Sequence, residues 1–176
     1  MLVPPDAVAD PATVYVADYG RHASLIVPRD GGYTEYAFGE WEWFARGKAR
    51  LLRGPLVLIV PGQATLGRRD LGGIVSAEEA CSRLDGAAAQ AIVVEREKAR
   101  ALVAELDRRF EAAVATRVTG PDGMQFVKDP SPYYALHNSN RVTAEWLEKL
   151  GVGVRGPAVF SRFEIATKPR ATRGGS

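Results

Sequence analysis

The segment from Thr13 to Phe38 constrains this chain most. Residues 13–17 and 22–28 are rich in β-branched and apolar side chains, and so are residues 33–38. Between the last two lies Arg29-Asp-Gly-Gly32, whose glycines accept the positive φ that tight hairpin turns demand. A chain that opens this way is committed to a β-hairpin and therefore to an antiparallel sheet. Residues 56–60, an apolar run between Pro55 and Pro61, read as a further buried strand, and residues 91–94 and 124–127 as two more.

Helical periodicity enters later. Leu102, Val103, Leu106, Phe110, Ala113 and Val114 recur at spacings of three and four, which predicts a helix over about residues 97–116. Val142, Trp146 and Leu150 mark a second helix over 139–150, stopped at Gly151. Ser76 and Glu79 have capping-box spacing, so a short helix is expected from there to about Leu84, closed by Gly86. Strands first, then helices interleaved with strands, give an α+β fold: an antiparallel sheet packed by helices. With 176 residues, one domain over 13–167 is expected, after an extended lead-in over 1–12 and before a flexible tail over 168–176. The Asp129-Pro-Ser-Pro132 stretch reads as a loop.

Charge and cysteine content remove several classes of function. Twenty-three basic residues against 21 acidic ones are scattered, giving nucleic-acid binding no support. A lone cysteine, Cys81, excludes an intramolecular disulfide and a zinc site built from several thiolates, and no metal or other cofactor is expected. No apolar run approaches the roughly 20 residues of a transmembrane helix. The glycine-rich stretch from Gly62 to Gly73 lacks the Lys-Ser/Thr ending of a phosphate loop and reads as a flap over a cleft. Compartment and oligomeric state stay open.

Two histidines, His22 and His137, are the side chains that titrate near neutrality. Ser139 falls at the predicted start of a helix, where free N–H groups and the positive end of the dipole favour an oxyanion. The plainer reading makes Asn138, Ser139 or Asn140 an N-cap. Cys81 is a competing nucleophile, but among Ala77, Ala80 and Leu84 it reads as a small packed side chain.

Three motifs together carry a family likeness: Gly20-Arg-His-Ala-Ser-Leu-Ile-Val-Pro28, Tyr36-Ala-Phe-Gly-Glu-Trp41, and Asn138-Ser-Asn-Arg-Val-Thr-Ala-Glu-Trp-Leu147. Over about residues 13–151 the chain resembles the circularly permuted, NlpC-type branch of the papain-like superfamily, in which the catalytic histidine precedes the nucleophile. The resemblance implies an acyl-transfer enzyme, an amidase, peptidase or acyltransferase acting on a small-molecule, peptide or lipid substrate. It matches His22 to the general base and Ser139 to the position where the family has cysteine. Glu40 is expected to orient His22 if the hairpin carries a one-residue bulge; one register away, Glu35 or Tyr36 becomes the neighbour. Trp41 and Trp43, with Phe44, would wall a groove beside His22, and His137, Asn138 and Asn140 would touch substrate. Serine for cysteine also implies an alternative, a binding module that kept the fold and lost the chemistry, because serine depends far more on its base and oxyanion hole than a thiolate does.

Overall fold

The computed structural model describes residues 1–20, 22–45, 61–73, 76–84, 87–156 and 163–165. The hairpin forms as its turn residues dictate. Strand β2 (Pro11–Asp18) leads into β3 (Ala23–Arg29), which turns at Asp30 and Gly31 into β4 (Gly32–Glu40). Gly31 takes the positive φ that the turn requires, 87°. Ser24 pairs with Ala37 and Arg29 with Gly32, and no bulge interrupts the β3–β4 ladder. Strand β5 (Gly62–Gly72), helix α2 (Ala77–Arg83), β6 (Ala88–Glu95), helix α3 (Arg96–Ala112), β7 (Val118–Thr119), β8 (Gln125–Tyr133) and helix α4 (Ser139–Lys149) complete a seven-stranded antiparallel sheet ordered β6-β2-β3-β4-β5-β8-β7. The short helix α1 (Trp41–Phe44) follows β4 directly, and a two-stranded ribbon joins β1 (Leu2–Val3) to β9 (Gly153–Val154). This is a mixed α+β fold on an antiparallel sheet.

Helices α3 and α4 lie on one face of the sheet. Leu102, Leu106 and Phe110 of α3 and Val142, Trp146 and Leu147 of α4 pack onto Val14, Val16, Leu25, Val27, Tyr36, Phe38, Leu66 and Val127. Each buried aliphatic or aromatic side chain contributes roughly 1.5–3 kcal/mol of transfer free energy, and the i, i+4, i+8 spacing of the α3 residues puts all three on the sheet side. The other face is covered as well. Tyr15, Ala17 and Ile26 meet Ala80 and Leu84 around α2, while Ala37, Met124 and Phe126 meet Trp41 and Phe44 of α1.

Several sequence expectations are corrected. Residues 62–73 are not a flap: β5 is an interior strand between β4 and β8, with Ala64, Thr65 and Leu66 buried. Gly67 is needed because the Met124 sulfur and Phe126 ring cross over it, leaving 2.7 and 2.8 Å to the place a Cβ would occupy. Residues 129–132 are not a free loop but a bulge in β8, where the pairing jumps from Ala64–Asp129 to Gln63–Pro132. Asp129 closes it by accepting a hydrogen bond from the Ser131 amide at 2.9 Å. Within residues 1–12, β1 pairs with β9, and the Glu95 carboxylate accepts from the Ala9 and Asp10 amides at 2.6 and 3.1 Å. Helix α3 ends at Ala112 and continues as a 3-10 turn over Val114–Thr116, held by the Thr116 hydroxyl donating to the Ala113 carbonyl. The expected strand over 56–60, Gly86 and the tail over 168–176 lie outside the described residues.

Candidate functional site

Ser139 occupies the first turn of α4, as the N-cap pattern predicts, but Asn138 is the cap. Its side-chain oxygen accepts from the Arg141 amide at 3.0 Å, and its side-chain amide donates to the Ala135 carbonyl at 2.9 Å. Ser139 and Asn140 are buried beneath it. Tyr133, the last residue of β8, places its phenol beside Ser139. Burial holds that phenol above its ordinary pKa and the Glu40 carboxylate adds to the effect, while the polar groups of Ser139 pull the other way. Tyr133 thus stays neutral beside the first turn of α4.

Around this pair the helix face supplies aromatic rings. Phe38 lies 6.0 Å from the Tyr133 ring and meets His137 edge-on at 5.2 Å. His137 stacks on Tyr134 at 5.8 Å, and its Nδ1 is 2.7 Å from the Pro132 carbonyl, which fixes the proton on Nδ1. Leu136 at the tip of this loop is largely exposed. Helix α4 is seated on β3 by Thr143, whose hydroxyl donates to the Ala23 carbonyl at 3.2 Å in the core.

His22 belongs to the opposite face. Its ring stacks on Tyr19 at 4.6 Å and meets Phe44 edge-on at 5.0 Å. Phe44 lies over Gly39, at the place where a side chain on the α1 side of β4 would stand. Beside them is a buried polar cluster centred on Glu35, which is 1% exposed. One Glu35 oxygen accepts from the Tyr19 and Ser24 hydroxyls at 2.7 and 2.6 Å, and the other accepts from Arg69 at 2.7 and 3.0 Å. Desolvation lowers the His22 pKa, partly offset by the Glu35 and Asp18 carboxylates. The same cluster holds the Tyr19 phenol neutral, through burial first and then the charge and hydrogen bond of Glu35.

The structure therefore does not bring the expected triad together. His22 faces α1, and Ser139 sits with α4 across the sheet. Glu40 is not beside His22: without a bulge between β3 and β4 it falls on the helix face, where it caps α1 by accepting from the Trp43 amide at 2.8 Å. Glu35, the residue one register step away, is the carboxylate on the His22 side. Trp41 is buried against Ala37, Met124 and Phe126, with the Lys128 ammonium 5.6 Å from its ring centre, and Phe44 is the aromatic that touches His22. Trp43 is half exposed. Cys81 is half buried, its sulfur accepting from the Ala89 amide at 3.1 Å. Sequence reasoning missed Tyr133 as the partner of Ser139, and the Tyr19–Glu35–Arg69 cluster. A carboxylate in the middle of a largely apolar strand, and an arginine pair in the strand that proves to be its neighbour, were the available signal for the latter.

Among the described residues, no group of three or more His, Cys, Asp or Glu side chains is placed to hold a metal ion, and no helix is long and apolar enough to cross a membrane. Comparison with protein families, curated proteins and solved structures gave no match to this chain.

Proposed function

We propose that this chain is a binding module on a permuted papain-like, NlpC-type scaffold, taking a peptide, cell-wall fragment or lipid at the Ser139 end of α4 without acyl transfer. The single observation that carries this reading is that the imidazole of His22 is turned to α1 on one side of the sheet, while Ser139 is buried in the first turn of α4 on the other. An acyl-transfer serine needs a base within hydrogen-bond reach and unfilled oxyanion donors. Here a neutral phenol, that of Tyr133, stands beside the serine. The exposed Leu136 and the His137–Tyr134 stack leave apolar and aromatic surface on the loop before the serine, which suits a ligand with an apolar part.

The acyl-transfer reading, with Ser139 as nucleophile, His22 as base and Glu40 orienting it, draws on the seat of Ser139 in the first turn of α4. It requires His22 to cross to the helix face.

The test uses a fluorophosphonate probe and a series of acyl and peptide substrates of varied chain length on the wild type, Ser139→Ala and Ser139→Cys. Neither labelling of residue 139 nor turnover is expected from any of them. Titration with muropeptides, an unrelated peptide set and phospholipid vesicles, followed by isothermal titration calorimetry, is expected to saturate with one of these and to be unchanged in Ser139→Ala. Labelling of the wild type that disappears in Ser139→Ala, or thiol-dependent turnover in Ser139→Cys that needs His22, overturns the module reading in favour of the enzyme.

A further inference from the structure

Strand β6 is at the edge of the sheet, and its hydrogen-bonding pattern can be followed residue by residue. Arg96 donates its amide to the Asp10 carbonyl at 2.9 Å, and Pro11 pairs with Glu95. Antiparallel ladders alternate, so Val94, Ile92 and Gln90 also direct their backbone groups to β2, while Ala89, Ala91 and Val93 direct theirs outward. The Ala89 amide confirms the parity, since it leaves the sheet to meet the Cys81 sulfur of α2. Among the described residues, nothing pairs with the outward groups of Ala91 and Val93.

Exposed edges are ordinarily blunted by charge, proline, bulges or a covering element. From Ala88 to Val94 the strand has no charged residue and no proline, and its pairing with β2 runs without a bulge. Ala91 is exposed, and Val93 is a large apolar side chain left 47% exposed. Helix α2 covers the edge only at Ala89. At the other end the strand passes into α3 after Glu95.

The geometry points to a two-fold dimer in which β6 pairs antiparallel with β6 of a second copy, Val93 opposite Val93. That register exchanges N–H and C=O groups between the two Val93 residues and lets each Glu95 amide reach the partner's Ala91 carbonyl. It also buries both Val93 side chains against each other. A second copy suits this edge for two reasons. An uncharged strand meets its own image without like-charge repulsion, and the Val93 register ends at Glu95 of each copy, so neither strand runs into the other's α2. A two-fold axis through one sheet edge makes a closed, self-complementary interface.

Sedimentation velocity on the wild type is expected to show a dimer, and Val93→Lys a monomer with an unchanged circular dichroism spectrum. Opposed residues of a hydrogen-bonded antiparallel pair have Cα atoms about 5.5 Å apart, within disulfide range. Val93→Cys should therefore form a covalent dimer under mild oxidation, while the wild type, carrying Cys81 alone, does not. A monomeric wild type at the highest attainable concentration overturns the proposal. So does a dimer that survives Val93→Lys, or one that Val93→Cys fails to trap.

Discussion

Glu35 ties together three side chains from three strands or their ends. It is buried, charged, and accepts from Tyr19, Ser24 and Arg69 at once. Breaking a buried ion pair ordinarily costs about 3–5 kcal/mol, and without Glu35 the Arg69 guanidinium is left with the more exposed Asp122, at 3.5 Å. Glu35→Ala should lose at most that much stability in urea unfolding, and adding Arg69→Met should recover part of it, because the poorly compensated guanidinium is then gone. Equal losses in the single and double variants would show that Arg69 is not stranded by the first change. His22, packed beside this cluster, gives a pH signature. Burial keeps its folded-state pKa below the ordinary value, so the unfolded chain binds this proton more readily than the folded one. Above about pH 7 both states are neutral at His22 and it has no effect. As pH falls through the unfolded value near 6.5, stability drops, and the drop ends once the folded value is passed. His22→Gln should flatten this part of the urea-midpoint profile between about pH 7 and 5. Identical slopes in the two proteins would exclude His22 as the source.

The elements that were legible in the sequence are those whose pattern has one dry face and one wet face. Helices α3 and α4 have such stripes, and the Arg29–Gly32 turn specifies its hairpin locally. Strand β5 was not legible, since its glycines suggest mobility until Met124 and Phe126 are seen to lie over Gly67. The separation of His22 from Ser139 was not legible either, for a reason of parity: a one-residue change of register sends a side chain to the other face. In a sheet with one wet face, alternation would reveal that parity. Here both faces are covered, Leu25 and Val27 by α3 and α4 and Ile26 by the α2 cluster, so residues 23–27 are buried without alternation. The α1 side can be probed at Gly39, where a Cβ would enter the Phe44 ring. Overpacking of this kind costs about 1–3 kcal/mol. Gly39→Ala should lose that much and should displace α1, seen as a change in tryptophan emission from Trp41 and Trp43. Unaltered emission would place the adjustment elsewhere.

For the molecule as a whole, the question is whether the ribbon of β1 and β9 is an appendage or part of the cooperative unit. Its pairing joins residues far apart in sequence, Leu2 with Val154 and Val3 with Gly153, and the Leu2 amide donates to the Glu164 carbonyl at 2.6 Å. The Leu2 side chain is completely buried in the same cluster as Val14, Trp146, Leu150, Val152 and Phe163. A second tie crosses from sheet to helix, where Asp107 of α3 accepts from the Tyr36 hydroxyl at 2.8 Å and pairs with Arg68 and Arg29, each at 2.9 Å. With the ribbon anchored in the main core by an apolar side chain, it should unfold together with the sheet. Leu2→Ala opens a cavity there, and such truncations cost about 2–5 kcal/mol. The urea midpoint should fall accordingly with the slope of the transition unchanged, and tryptophan emission and far-ultraviolet circular dichroism should still trace one coincident transition. An early separate phase in Leu2→Ala, with the main midpoint left where it is in the wild type, would make the ribbon an independent unit and remove it from the core that holds α4 against β3.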